Sequence, residues 1–434
     1  MGRIQIRKFL LTCSAGALLL VAACASFEQQ ETSQFQPQQN SEEFEGSMPE
    51  ESLSAGMAYD DVAEPQVCSA GDSFWKVRVF YGTNRARNGD TSEANKFYSS
   101  DLGNLEFGYC DVSIPESHDY GEVERPKIWK FEFSEDPEKH VVLQTVTPLS
   151  IDDFGAGLSS SVAESESQAA LIFVHGFNVT FAEASYRTAQ MFHDLKFTGA
   201  PVMYSWPSHG AFLNYPSDIS HADASEAKFI EFLETVAARS GAKQVHLVAH
   251  SMGNRLVTKA LQRLGEQSAY RQIPKLNEVI LAAPDVDAKT FREVIAPEIV
   301  KASSRVTIYT SSTDRALQAS KLLHQGSRLG LGGDDLVTFP NNPLIQVIDA
   351  TGLDLGLITL GHSAYGDELL ADINYALAGK EPELRKLKPH KIKPAWSIFA
   401  SSEPEVEVSP IKTVSAETEI AVPKKSFWSR LKFW

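Results

Sequence analysis

The spacing of hydrophobic and polar positions changes near residue 168 and divides the chain into two patterns. Before that point, short alternating runs separated by turn residues predict strands. They lie at 75–80, 109–114, 128–133 and 141–146. A Ser- and Glu-rich stretch at 159–168 has the composition of a loop. This part of the chain therefore predicts an antiparallel start to a sheet.

After residue 168, apolar strands alternate with polar loops and amphipathic helices. Continuous apolar runs predict strands buried on both faces, at 170–174, 201–205, 245–249, 279–283, 306–310 and 345–349. Apolar residues at helical spacing predict helices at 181–195, 224–240, 254–264, 291–301, 315–323 and 365–377. The alternation predicts one α/β domain over 73–380, with a mostly parallel central sheet, antiparallel N-terminal strands and helices on both faces.

The first residues are typical of an export signal, with Arg3, Arg7 and Lys8 ahead of an apolar run at 9–23. The run ends in Val21-Ala22-Ala23-Cys24, which resembles the bacterial lipobox. We therefore expect residues 1–23 to be removed and Cys24 to carry lipid, such as diacylglycerol and palmitate. The alternative is an ordinary signal peptide with a chance cysteine.

The residue after the lipobox cysteine is Ala25 and not Asp. By its resemblance to lipoprotein sorting signals, this favours the outer membrane of a bacterial cell envelope, facing the periplasm. The membrane would be contacted through lipidated Cys24.

The segments on either side of the domain have compositions typical of disorder. Residues 24–72 hold no Lys or Arg and are rich in Glu, Gln, Ser and Pro, which predicts an acidic tether. Residues 381–434 predict a mostly disordered tail that ends in basic and aromatic residues. That end could settle at a membrane interface or be held by nothing.

Charge and cysteine content narrow the class of protein further. The 434 residues carry a formal net charge of −16, which argues against a nucleic-acid partner, and 43% are hydrophobic, enough for a sizeable core.

The sequence holds four cysteines. Cys13 leaves with the predicted signal and Cys24 is the predicted lipidation site, so Cys68 and Cys110 remain. Outside the cytoplasm they could form a disulfide, and the alternative is two buried free thiols. The oligomeric state is not predicted.

A candidate nucleophile, Ser251, follows the predicted strand 245–249 and precedes the helix 254–264. In a strand, sharp turn and helix, a serine is exposed on a strained turn beside the N–H groups that begin the helix. Small residues are needed two positions before and after it, and Ala249 and Gly253 fill those positions. The alternative is a serine that caps a helix.

A serine needs a base and an orienting acid, and both follow later strands, the acid first and the histidine after it. His362 lies after the last predicted strand and is the candidate base. Asp314, which follows strand 306–310, is the favoured acid. Asp285 and Asp287, one strand earlier, are the alternatives. Whichever aspartate is not the catalytic acid is expected to cap a helix.

The loop after the first parallel strand, His175-Gly176-Phe177-Asn178, is the candidate oxyanion loop. We expect backbone N–H groups of Phe177 and Met252 to form the oxyanion hole and His175 to hold the loop by hydrogen bonds. Trp206, Phe212 and Tyr215 are candidate walls of a substrate pocket or, alternatively, plain packing residues.

The sequence shows no metal site and implies no cofactor. His118, His209 and His221 are scattered without paired ligand spacing, and no Gly-rich phosphate loop follows a strand.

Several separated motifs together resemble the bacterial alpha/beta hydrolase family catalogued as a domain of unknown function, over about 74–378. They are Val79-Phe80-Tyr81-Gly82-Thr83-Asn84-Arg85, Phe107-Gly108-Tyr109-Cys110-Asp111-Val112-Ser113-Ile114-Pro115, His175-Gly176-Phe177-Asn178, Tyr204-Ser205-Trp206-Pro207-Ser208, Ala249-His250-Ser251-Met252-Gly253-Asn254-Arg255, Ala282-Ala283-Pro284-Asp285-Val286-Asp287 and Gly361-His362-Ser363. The resemblance implies the α/β-hydrolase fold and serine hydrolase chemistry, without an established substrate.

These observations predict an esterase- or lipase-like serine hydrolase that cleaves a small or lipid-like carboxylic ester or thioester through an acyl-enzyme on Ser251. Two alternatives remain open. One is a non-catalytic envelope lipoprotein that uses the scaffold for binding. The other is an acyltransferase with the same triad.

Overall fold

The structure is a computed structural model that describes residues 73–127, 132–209, 214–268, 276–353 and 366–399, with only the backbone of 366 and 367. The chain divides into the units Met1–Ala58 and Tyr59–Trp434, and all described residues belong to the second. The predicted signal, tether and terminal segment, with Cys24 and Cys68, lie outside the described residues, and so do Phe212 and His362.

The described residues form an 11-stranded sheet with the order β10-β11-β9-β8-β7-β6-β4-β5-β1-β2-β3. The strands are β1 Phe74–Arg87, β2 Tyr98–Pro115, β3 Val142–Leu149, β4 Ala169–Val174, β5 Ala200–Ser205, β6 Gln244–His250, β7 Leu276–Ala282, β8 Ser303–Thr310, β9 Ile345–Asp349, β10 Lys388–Pro389 and β11 Trp396–Ser397. Neighbours from β1 through β9 to β11 pair in parallel, whereas β2, β3 and β10 pair antiparallel. The predicted mostly parallel sheet with antiparallel N-terminal strands is confirmed.

Helices cover both faces of this sheet. They are α1 Ile151–Glu164, α2 Phe181–Asp194, α3 Tyr215–Ala224, α4 Glu226–Arg239, α5 Gly253–Glu266, α6 Ala296–Ala302, α7 Arg315–His324 and α8 Gly366–Leu377. A short turn Ala288–Thr290 and a π-helical turn Phe291–Ile295 lead into α6. Single 3₁₀ turns lie at Ala94–Lys96, Gly333–Asp335 and Pro382–Leu384.

Strand β4 shows why helices are needed on both faces of the sheet. Ala170, Ile172 and Val174 point into one core with side chains of α1, α4, α5 and α6, whereas Leu171 and Phe173 point into another with α2, α7 and α8. Side chains alternate across a strand, so a wholly apolar strand requires apolar layers on both sides.

Four parts of the domain differ from the sequence prediction. Residues 151–164 form helix α1, because Ser150 caps its N-terminus by accepting from Asp153 N, so the stretch predicted as a loop is largely helical. Helix α3 was not predicted, since it has few buried apolar residues. Strands β10 and β11 extend the sheet beyond residue 380, where a tail was predicted. Of the predicted strand 128–133, only 132 and 133 are described, and they form no strand.

Among the helices of the described ranges, none combines the length and apolar character that crossing a membrane requires.

Candidate functional site

Ser251 lies on a sharp turn between β6, which ends at His250, and α5, which begins at Gly253. Its φ of +49° places a non-glycine residue in the left-handed region. Its backbone N–H donates to Ala282 O at 3.0 Å, and its side chain is only partly buried. A strained, ordered and accessible serine at the end of a parallel strand is the geometry that the sequence predicted.

Glycines allow the close approach around this serine. A Cβ on Gly253 would lie 2.2 Å from the carbonyl oxygen of His175, so the helix and the oxyanion loop meet backbone to backbone. A Cβ on Gly176 would lie 3.0 Å from Ser251 Cβ. The candidate nucleophile and the candidate oxyanion loop are therefore direct neighbours.

Asn254 holds the turn in place, a role that the sequence analysis missed. Its Nδ2 donates to the carbonyl oxygens of Ser251 and Ala282, both at 3.0 Å, and the residue is fully buried. The N–H of Asp285 donates to the same Ser251 oxygen at 3.2 Å. The only signal in the sequence was an asparagine three residues after the serine.

The candidate oxyanion donors lie on either side of Ser251. Met252 is the N-cap residue of α5, a position at which N–H groups lack carbonyl partners within the helix. Phe177 directly follows Gly176, on the loop that touches the serine. Both residues are therefore close neighbours of Ser251, one along the chain and one across the loop contact.

His175 is fully buried under this loop and is neutral. Burial, followed by the nearby Arg85 charge, lowers the pKa of His175 to about 3. Its Nδ1–H donates to Gly176 O at 2.9 Å, and its ring stacks on Trp206 with centroids 5.2 Å apart. The structure gives His175 the positioning role that the sequence suggested.

Arg85 is the second support of the loop and was not singled out from the sequence. It is buried, and its guanidinium donates to Ser205 Oγ at 2.9 Å, Ser208 O at 3.0 Å and Val179 O at 2.7 Å. Burial lowers the pKa of Arg85 to about 9, against the opposing effect of the Asp218 charge. The guanidinium thus joins β1, the loop after β5 and the end of the oxyanion loop.

The three candidate acids have different surroundings. Asp285 is buried, with Oδ2 accepting from Tyr215 Oη and Oδ1 from Ser320 Oγ, both at 2.6 Å, and with Arg328 Nε 3.6 Å away. Asp287 caps the turn before α6, and the Thr290 N–H that it accepts lowers the pKa of its carboxyl.

Asp314 is partly buried at the C-terminal end of β8 and caps α7 by accepting from Leu317 N at 2.9 Å. A helix-capping role was expected for the carboxylate that is not the acid, but Asp287 and Asp314 both cap helical turns. The distinguishing feature is the enclosed network in which both oxygens of Asp285 are already engaged.

The two described residues of the candidate pocket, Trp206 and Tyr215, have different surroundings. Trp206 is fully buried and donates its Nε1–H to His175 O at 2.8 Å, which is the contact of a packing residue that supports the loop, the alternative given for this side chain. Tyr215 is partly buried, and its ring packs edge-on against Phe177 at 5.3 Å. Tyr215 therefore lies beside the oxyanion loop, as a pocket residue would.

Among the described residues, Cys110 is a free, fully buried thiol. Cys68, its predicted disulfide partner, lies outside them. Its side chain belongs to the core between β1, β2 and α2, where burial raises its pKa to about 12. A partner cysteine would have to enter that core, which explains why the alternative of a free thiol holds for Cys110.

Titratable side chains that looked scattered in the sequence meet beside the loop after β5. One potential metal-ligand atom from each of His209, Asp218 and His221 lies within 4.8 Å of the other two. The spacing of Asp218 and His221, three residues apart on α3, was the available signal.

Comparison with known proteins gives a match to one family. The sequence pattern of that family, described as alpha/beta hydrolase of unknown function (DUF900), matches residues 152–374. No curated protein matches the chain.

Solved structures of low identity resemble parts of the chain. The apo form of Thermogutta terrifontis esterase 2 is 15% identical over 48% of this chain and 81% of that chain, with a TM-score of 0.27. Carboxyl esterase 2 of the mycorrhizal fungus Tuber melanosporum is 10% identical over 74% of this chain and 92% of that chain, with a TM-score of 0.31. The fold assignment rests on the family match and the sheet order.

Proposed function

The chain belongs to the family of alpha/beta hydrolases of unknown function (DUF900), and from that premise we propose that it is a serine hydrolase that cleaves a carboxylic ester or thioester. The observation that carries the proposal is Ser251 at φ +49° on the turn between β6 and α5, in contact with the Gly176 loop. A serine that only capped a helix would not need this conformation.

In the proposed first half-reaction, Ser251 Oγ attacks the substrate carbonyl carbon while a base takes its proton. The backbone N–H groups of Met252 and Phe177 stabilise the oxyanion of the tetrahedral intermediate. Collapse of this intermediate breaks the bond to the alcohol or thiol, which leaves with the proton from the base. The product of this step is an acyl-enzyme on Ser251.

In the second half-reaction, water loses a proton to the same base and attacks the acyl carbon. The tetrahedral intermediate then releases the carboxylic acid, and the proton returns to Ser251 Oγ. We assign the base to His362 because of its position in the chain after β9. Asp314 is assigned as the group that orients the imidazole, since both oxygens of Asp285 serve a buried network.

Hydrolysis of p-nitrophenyl esters of graded acyl length tests the proposal. The wild-type protein should release p-nitrophenol, and Ser251→Ala should lower kcat by about 10⁶-fold, to the background rate. Ser92→Ala is the control, since Ser92 is exposed in the loop between β1 and β2. Equal rates for wild type and Ser251→Ala would contradict the proposal.

We also propose attachment to the bacterial envelope through lipid on Cys24, supported by the basic start, the apolar run and the lipobox-like motif. Cys24→Ser should abolish incorporation of labelled palmitate and release the protein from the membrane fraction. Cys13→Ser is the control, because Cys13 lies within the segment to be removed. Unchanged labelling of Cys24→Ser would contradict the attachment.

A further inference from the structure

His209, Asp218 and His221 form a cluster that the proposed hydrolysis does not use. His209 follows β5, whereas Asp218 and His221 lie on α3. The ring centroids of the two histidines are 4.7 Å apart and the rings are tilted by 31°. The hydrogen bonds around each ring determine which of its nitrogens can bind a ligand.

In His221, the nitrogen that carries the proton follows from its partner. Nδ1 lies 2.8 Å from the carbonyl oxygen of Pro207. A carbonyl oxygen can only accept, so Nδ1 must donate. In the neutral imidazole the lone pair is then on Nε2, which has no hydrogen-bond partner among the described residues.

In His209, a buried carboxylate likewise places the proton on Nδ1. Nδ1 lies 2.6 Å from Asp218 Oδ1, and the Asp218 side chain has no exposed surface. Asp218 also accepts from Ser208 Oγ at 2.6 Å and from the His209 backbone N–H at 3.0 Å. Nδ1 of His209 therefore donates, which leaves Nε2 as the lone-pair nitrogen of this ring as well.

A carboxylate or carbonyl on one ring nitrogen and a metal on the other is the usual surrounding of metal-binding histidines. Here both histidines have their Nδ1 atoms held in this way, and their rings are neighbours. The His209 side chain is 21% exposed, so an ion can reach it from solvent.

We propose that His209 and His221 bind one divalent transition-metal ion of the Zn²⁺ type through their Nε2 atoms, with Asp218 orienting His209. Imidazole nitrogen favours Zn²⁺, Cu²⁺ or Ni²⁺, whereas Mg²⁺ and Ca²⁺ need several oxygen ligands. The oxygens of Asp218 already accept hydrogen bonds, which makes an oxygen-ligated ion the poorer fit.

The bound ion would connect the loop after β5 to α3. Helix α3 begins at Tyr215, whose ring packs against Phe177 of the oxyanion loop. The ion is thus a brace beside the proposed active site and takes no part in the attack on the substrate.

The test is a calorimetric titration of the full-length, untagged, chelator-treated protein with Zn²⁺ alone. His209→Asn and His221→Asn are the sharp variants, because the asparagine amide can donate in place of Nδ1–H but provides no Nε2. His390→Asn is the matched control outside the cluster. We expect one equivalent of Zn²⁺ in the wild type and control, with affinity at least tenfold lower in both cluster variants.

A second measurement needs no variant. Zinc X-ray absorption of the loaded wild type should show two imidazole ligands with the remaining ligands oxygen. A sulfur ligand, no bound Zn²⁺ in the folded wild type, or equal binding by well-folded cluster variants would overturn the proposal.

Discussion

Asp285 and Asp314 follow neighbouring strands, β7 and β8, but the two carboxylates have different hydrogen-bond partners. Asp285 has both oxygens engaged by Tyr215 and Ser320, with Arg328 nearby. Asp314 accepts the Leu317 N–H and so caps α7. The first carboxylate holds α3 and α7 together through buried hydrogen bonds, and the second lies at the strand end that the proposed mechanism needs.

Replacing each of these carboxylates by Asn should have opposite consequences. Asp314→Asn keeps a good N-cap, so stability should change little, while kcat for ester hydrolysis should fall by about 10³–10⁴-fold because the base loses its orienting anion. Asp285→Asn should retain most of kcat but lower the free energy of unfolding by about 2 kcal/mol. Urea denaturation and ester kinetics measure both. A collapse of kcat in Asp285→Asn with normal activity in Asp314→Asn would make Asp285 the acid.

The sequence predicts Ser251 as the candidate nucleophile because a strand, a small-residue turn and a helix leave a local pattern. It could not identify Arg85 or the true role of Trp206. These residues act through contacts with segments more than 30 residues away in the chain, such as Trp206 Nε1 to His175 O. Such contacts leave no periodic signal.

Among the elements, the parallel strands were predictable because each is a continuous apolar run. Helix α1 was not, since its Ser-rich sequence carries little helical propensity. Its apolar side chains Phe154, Leu158 and Val162 are nevertheless buried against the sheet. Tertiary packing and an N-cap therefore determine this helix more than composition does.

The junction of β6, α5 and the oxyanion loop depends on Gly253. A Cβ there would lie 2.2 Å from His175 O, a backbone atom that cannot rotate away. Gly253→Ala should lower the free energy of unfolding by about 2–3 kcal/mol. It should also reduce kcat/KM by about 10²-fold, because displacement of the loop by about 1 Å moves the oxyanion donors.

Gly89→Ala is the matched control for that substitution, since a Cβ at Gly89 meets nothing within 4 Å. Its stability should stay within about 0.5 kcal/mol of the wild type, with unchanged kinetics. If Gly253→Ala matched this control in both thermal unfolding and ester kinetics, the close packing of the elbow would be contradicted.

At the scale of the whole molecule, a buried ion triad joins the antiparallel and parallel parts of the fold. His118, after β2, contacts Glu124 through Nδ1 and Asp194 of α2 through Nε2, both at 2.9 Å. Burial alone would lower the pKa of His118, but these two carboxylates raise it to about 9. The ring centroids of His193 and His118 are 5.4 Å apart. Burial, followed by the charge of His118, lowers the pKa of His193.

The raised pKa predicts a pH dependence of stability. The folded state keeps the proton to about pH 9, whereas the unfolded state loses it near 6.5. The stabilisation is therefore complete below pH 6.5 and is lost as pH rises through 9. The wild type should lose roughly 2–4 kcal/mol more than His118→Gln between pH 6.5 and 9.5, by urea denaturation. Parallel pH profiles for the two proteins would refute the triad.

Ser251 acts in the proposed reaction as an activated nucleophile. Labelling the purified full-length protein with a fluorophosphonate and mapping the adduct by peptide mass spectrometry tests it most directly. We predict one adduct, on the peptide that contains Ser251, and no label in Ser251→Ala that is shown to be folded. A folded wild type that takes no label, or label on another residue that persists in Ser251→Ala, would contradict the account.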